Sequence, residues 1–379
     1  MIQETITFIR HHYQTEDFIP LHEPCFIGKE KKYLNECIDT TFVSSVGQFV
    51  DRFEEAVAKF TGAKYAVATV NGTAALHIAL LMAGVESDDE VITQALTFVA
   101  TCNAITYIGA KPVFVDVDRN NMGLSPEKLA SFLSRETKMV NGICINKSTK
   151  RKIKAVVPMH TFGLPIKMDE LCRVCEKFNI AVVEDAAESL GSSYKEKYTG
   201  TFGSLGILSF NGNKTITTGG GGMLVTNDKA LAQKAKHMTT TAKKPHRWDF
   251  EHDEIAYNYR MPNINAALGC AQMENLDVIL ANKRVLAKKY MDFFKDKEVE
   301  FVCEPENTRA NYWLNAIVLK DLESRNQFLK ETNDNGVMTR PIWKLMSNLD
   351  IFKGAQSANL ENSVWLEARV VNIPSSVKI

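Results

Sequence analysis

Between residues 60 and 230, short apolar runs rich in β-branched residues alternate with helix-length segments, and this alternation constrains the fold more than any other feature of the chain. The runs are Tyr65 to Val70 (YAVATV), Glu90 to Thr93, Pro112 to Val115, Ile153 to Val157, Ile180 to Val183, Ile207 to Phe210 and Gly222 to Thr226. Segments 73–83, 97–108, 126–134 and 168–178 lie between most of them and carry helical patterns. Strands that are apolar throughout must be covered on both faces. The expectation is therefore an α/β fold built on a large, mostly parallel seven-stranded sheet packed between helices.

Residues 1–60 are mostly helical in pattern, with an irregular segment at 40–50 (TTFVSSVGQFV). After residue 235 the character changes: TTTAKKPHRWDFEHDEIAYNYRMPN is polar, aromatic and proline-containing, and it marks the boundary between two units. We expect an N-terminal arm and a large domain over 1–250. A long helix from about 263 to 294 and a small α+β domain should make up 251–379. The 379 residues leave room for two or three domains at ~150 residues each.

Composition removes several function classes. Lys and Arg number 45 and Asp and Glu 45, a formal net charge of +0, so no overall field attracts nucleic acid or an anionic membrane. No window approaches the ~18 apolar residues of a membrane span, and the first residues lack the apolar core of a signal peptide. Eight cysteines without regular spacing indicate free thiols in a reducing compartment, so a cytoplasmic location is expected. Cys172 and Cys175, in DELCRVCEKF, fall at helical spacing and read as a helix face, and no metal site is expected.

Three segments carry chemistry. In SFNGNKTITTGGGGMLV (209–225), Lys214 sits in a small, polar turn after an apolar strand, and Gly219 to Gly222 allow close backbone approach. In IAVVEDAAESLGS (180–192), a buried strand ends on Asp185, at the edge of a parallel sheet where ligands bind. In TVNGTAALHIAL (69–80), a strand runs into Asn71-Gly72-Thr73 and then a helix, so free N–H groups, a helix dipole and a hydroxyl meet at one point suited to phosphate. Alone, each has an ordinary explanation: a surface turn, an N-cap, a capped helix. In this order they supply what a pyridoxal phosphate enzyme needs: a phosphate anchor, a carboxylate for the pyridinium nitrogen, and a lysine for a Schiff base. His77, inside an apolar helix, reads as core, whereas His160 ends a strand and could line a site. Neither GxxxxGK[ST] nor a GxGxxG opening a helix occurs, which argues against a P-loop protein or a nicotinamide oxidoreductase.

Five blocks, from FVDRFEEAVAKFTGAKYAVATVNGTAALHIAL through DDEVITQALTFVATCNAITYIGAKPVFVDVD, VVEDAAESLGSSYKEKYTGTFG and LSFNGNKTITTGGGGM to YNYRMPNINAALGCAQME, resemble the DegT/StrS-type sugar aminotransferases across essentially the whole chain. That family has the type I, aspartate aminotransferase-like fold. SFNGNK with TTGGGG, and the stretch HMTTTAKKPHRWDFEHDEIAYNYRMPN, look most like the branch named for the legionaminic acid pathway, whose members aminate UDP-linked 4-keto-6-deoxy-N-acetylhexosamines. The resemblance implies pyridoxal 5'-phosphate as cofactor, pyridoxamine phosphate as its aminated form, L-glutamate as donor with 2-oxoglutarate released, and a nucleotide-diphospho sugar as acceptor. The product would serve surface polysaccharide or nonulosonic acid synthesis.

Carried over by position, Lys214 is the cofactor lysine and proton carrier, and Asp185 the partner of the ring nitrogen. Gly72, Thr73 and Ser209 bind the phosphate, and Phe98 covers the ring. Glu188 stands where many relatives have Gln or His near the ring hydroxyl, a departure from the commoner pattern. Asn258 matches the position that reaches a neighbouring subunit's phosphate, which implies a homodimer with shared sites. Arg247 and Arg340 are candidates for the diphosphate or sugar, since a guanidinium offers paired donors. Two other readings are a sugar-nucleotide dehydratase and a non-catalytic sugar-nucleotide-binding regulator on the same fold. The dehydratases replace the lysine with histidine, so Lys214 argues against the first, and the intact set argues against the second.

Overall fold

The computed structural model describes residues 1–379. The large sheet consists of β1 (Tyr65–Thr69), β2 (Glu90–Gln94), β3 (Lys111–Val115), β4 (Ile153–Val157), β5 (Ala181–Asp185), β6 (Leu205–Ser209) and β7 (Gly222–Thr226). Their spatial order is β1-β7-β6-β5-β4-β2-β3. Only β7 runs against its two neighbours; the other adjacent pairs are parallel. Consecutive residues point to opposite faces, as a pleated strand requires. Val91, Val157 and Val183 join one buried cluster with helix Gly72–Met82, while Ile92, Val156 and Val182 join another with helices Pro126–Glu136 and Met168–Lys177. This is why the strands read as unbroken apolar runs. Cys175 is buried and Cys172 partly buried on the last of these helices.

All the parallel strands end on one sheet edge, and β7 begins there: Gly222 is paired with Thr69 on one side and Ser209 on the other. The loops after β1, β5 and β6, which carry the three motifs, are thereby gathered at a single edge.

The second unit holds a four-stranded antiparallel sheet, formed by Glu300–Phe301, Asn315–Val318, Val370–Ile373 and Arg340–Pro341 in that spatial order. Two features differ from expectation. The long helix is two helices, Asn263–Glu274 and Leu276–Phe294. At the break, the Asn275 N–H bonds to the Gln272 carbonyl and its side-chain amide donates to the Ala271 carbonyl, so the residue satisfies itself locally rather than continuing the helix. The first helix of the N-terminal region also packs against the second unit, whereas helix Gln48–Thr61 packs on β1 of the large sheet. Helix Ile2–Tyr13 places Ile2, Ile6, Ile9 and Tyr13 on one stripe, and Ile6 and Ile9 are buried with Tyr290, Phe328 and Val371. Ile19 then bridges Val337. No helix is long and apolar enough to cross a membrane.

Candidate active site

At the gathered edge lies a pocket of about 250 Å³. Gly72, Thr73, Phe98, Asp185, Glu188, Ser209 and Lys214, drawn from four separate loops, all line it, together with Asn71, Thr101, Met159 and Asn211.

The floor is set by a helix start. Asn71 is the N-cap of helix Gly72–Met82, and its Oδ1 accepts from the Ala74 N–H at 2.8 Å. The N–H groups of Gly72 and Thr73 have no intrahelical acceptor and face the pocket end of the dipole. A Cβ on Gly72 would stand 2.9 Å from the Ser209 Cβ, so glycine is what lets Ser209 share this cradle. The tetraglycine turn serves the same point. A Cβ on Gly222 would lie 2.3 Å from the Asn71 carbonyl oxygen and 2.6 Å from the Gly72 nitrogen. The turn itself is held from below by Asn265, whose amide donates to the Thr218 carbonyl at 2.7 Å.

Asp185, at the end of β5, is 5% exposed. It accepts from the Thr101 hydroxyl at 2.7 Å and the Ala187 N–H at 3.2 Å, and burial pushes its pKa up. A carboxylate can accept about four hydrogen bonds, so this one is short of donors and would be favoured by a protonated ring nitrogen. Phe98 caps helix Val99–Tyr107 and is half exposed at the mouth rather than buried in a core, with Trp343 at 6.2 Å between ring centroids.

Lys214 follows β6 in a tight turn whose amide bonds to the Asn211 carbonyl. Its Nζ lies 3.3 Å from Glu188 Oε1 and 4.0 Å from the centre of the Trp313 ring. Glu188 also accepts from the Phe162 N–H at 2.9 Å. Burial raises the Glu188 carboxyl to about 7, against the opposing pull of Lys214. Phe162 has φ 54, a left-handed conformation uncommon for a bulky residue, and that conformation aims its N–H at Glu188.

His160 supports the site from behind. It is fully buried, its Nδ1 accepts from the Ile166 N–H, and its Nε2 lies 3.2 Å from Glu184. Glu184 in turn accepts from the N–H groups of Gly200, Phe202 and Gly203. His77 is buried against Tyr257 and Tyr259, as a core residue. Asn258, Arg247 and Arg340 do not line the pocket. Asn258 is exposed and pairs with Thr240, Arg247 is exposed beside Trp248, and Arg340 lies on the edge strand of the small sheet. Thr101 and Trp313 were not anticipated. Thr101 lies three residues after Phe98, one helical turn, which could have marked it; Trp313 comes from the second unit and has no local signal.

The sequence profile described as the DegT/DnrJ/EryC1/StrS aminotransferase family matches residues 24–379. The chain belongs to this family. It is a pyridoxal phosphate-dependent aminotransferase, and the pocket's donors and carboxylate fit that cofactor. A protein from Escherichia coli O157:H7 named GDP-perosamine synthase is 38% identical over 360 residues, covering 94% of this chain and 93% of that one. A protein of the same name from Vibrio cholerae is 35% identical over 363 residues, covering 94% of each. Spr1654 from Streptococcus pneumoniae, solved in a PLP form, superimposes with a TM-score of 0.85 at 22% identity, covering 96% of this chain and 94% of that one, and so shares the fold.

Proposed function

We propose that this aminotransferase moves an amino group from L-glutamate to a nucleotide-linked 4-keto-6-deoxy sugar, as a cytoplasmic homodimer. The observation that carries the chemistry is the convergence of Lys214, Asp185 and the Gly72–Thr73 helix start on one small pocket. Pyridoxal phosphate, when bound, supplies an aldehyde and an electron-withdrawing ring. The chain supplies the rest. The Gly72 and Thr73 N–H groups and Ser209 hold the phosphate, and Asp185 keeps a proton on the ring nitrogen. Phe98 walls the mouth. Lys214 Nζ would hold the cofactor aldehyde at rest and, once released, would serve as the base that takes the proton from the donor carbon to the cofactor and, in the second half, as the acid that takes one from the cofactor to the sugar carbon. Glu188 and the Trp313 face bracket that amine and limit where it swings.

For the acceptor, the resemblance of SFNGNK with TTGGGG and of the run from 237 to 263 to the legionaminic acid branch supports a UDP-linked N-acetylhexosamine. The two relatives named GDP-perosamine synthase support a second reading, a GDP-linked sugar. Offering UDP- and GDP-linked 4-keto sugars with glutamate, and weighing the amine product by mass spectrometry, separates them. Amination of the GDP-linked sugar alone would overturn the UDP reading and leave the aminotransfer intact. For the site, the purified enzyme should be yellow and Lys214→Ala should lose both that absorbance band and activity. A colourless Lys214→Ala protein that still aminates a sugar would sink the assignment.

A further inference from the structure

Behind the pocket, outside its lining, a second lysine is buried. Lys283, on helix Leu276–Phe294, is 1% exposed. Its Nζ lies 2.8 Å from the Ser375 carbonyl oxygen, 3.1 Å from the Trp313 carbonyl oxygen and 2.9 Å from His22 Nε2. An ammonium has three N–H donors, so these three acceptors saturate it without a carboxylate. The arrangement is costly: burial alone, with no charged partner to offset it, drives Lys283 down to about 7. Burial also lowers His22, and Lys283 and Lys214 both add to that effect, which places His22 within reach of the fields of both amines.

What this clamp holds is the segment under Lys214. Trp313 is fixed at its N–H by Asn311 Oδ1 at 2.8 Å and at its indole N–H by the Asn213 carbonyl at 2.6 Å, the residue before Lys214. Its own carbonyl is held by Lys283, and its ring centre is 4.0 Å from Lys214 Nζ. A shift of the Trp313 main chain would move both the ring face and the anchor of the Lys214 turn. We propose that Lys283 is a positioning residue of the active site: by tying the main chain at Trp313 to that at Ser375 and to His22, it fixes the indole face against which Lys214 Nζ rests. The inference rests on the assignment of Lys214 as the cofactor lysine.

The test compares holoenzyme carrying Lys283→Met, Trp313→Leu or both with the parent. An aromatic face favours a cation lying over it, so both single changes should lower, by ~0.5 pH unit, the pH midpoint at which the visible absorbance of the bound cofactor changes. Each should reduce kcat with little change in the donor KM, and the double variant should be no worse than Trp313→Leu, because the two act through one ring. A Lys283→Met protein with an unmoved midpoint and unchanged kcat, whatever its melting temperature, would overturn the proposal. So would effects of the two substitutions that simply add. Should Lys283→Met fail to fold, His22→Leu, which leaves Lys283 Nζ one acceptor short, must move the midpoint in the same direction, and no movement overturns the proposal equally. If the absorbance band survives in Lys214→Ala, the underlying assignment has failed. If the band is lost there yet unmoved by Lys283→Met, only the positioning role has.

Discussion

Glu188 holds a carboxyl where burial disfavours its charge, and the consequence can be followed through folding. Its pKa rises from an ordinary 4.5 to about 7, so the folded chain keeps a proton that the unfolded chain releases between those values. The stability it contributes is full below the lower value and is lost as pH rises through the upper one. In the cofactor-free protein, raising the pH from ~5 to ~7.5 should therefore weaken the parent relative to Glu188→Gln by about 2 kcal/mol, read as the shift between their urea midpoints. Parallel pH profiles would refute this. Lys214 and Asp185 were legible as residues because each follows an apolar strand, and in a parallel sheet the strand's end is where ligands bind. Trp313 was not. It reaches the site only through tertiary packing, and nothing within NYWLNAIVL distinguishes it from a residue of the small sheet.

At the level of elements, the tetraglycine turn links β7 to the helix start proposed to cradle the phosphate. Gly222→Ala would push a methyl group against the Asn71 carbonyl and the Gly72 nitrogen, both main-chain atoms that cannot rotate away. We expect a loss of ~1–3 kcal/mol in stability, together with faster loss of cofactor absorbance on dialysis. Gly212→Ala is the matched control, since the nearest atom to its new methyl is 4.0 Å away. Equal behaviour of the two variants would remove the packing explanation. All seven strands of the large sheet were readable because burial on both faces leaves an unbroken apolar run. The hairpin Thr137–Val140 and Ile143–Asn146 was missed although Asn141-Gly142, at φ 50 and 78, is a strong two-residue turn signal. Its flanks are four residues each and half of those residues are exposed, so they lack that unbroken apolar signature. Val370–Ile373, central in the small sheet, carries an asparagine and follows closely on the short helix Glu361–Glu367, and four residues offer too little periodicity to read.

For the whole molecule, Asn258 is exposed and outside its own chain's pocket, which suits a residue that serves a neighbour. If sites are shared, mixing Lys214→Ala with Asn258→Ala protein should restore part of the activity through hybrid dimers. No recovery, despite subunit exchange demonstrated by mass, would count against shared sites. The sheet order has a further consequence, for synthesis. The first strand made, β1, has only one neighbour in the large sheet, and that neighbour is β7, the last of the seven to be made. A chain emerging from the ribosome can pair β2 with β3 and add β4, β5 and β6 in turn, while β1 and the helix start behind it wait unpaired. The proposed phosphate cradle is therefore among the last parts of the large unit to form. Until the tetraglycine turn has been translated, the nascent protein has little means of retaining its cofactor.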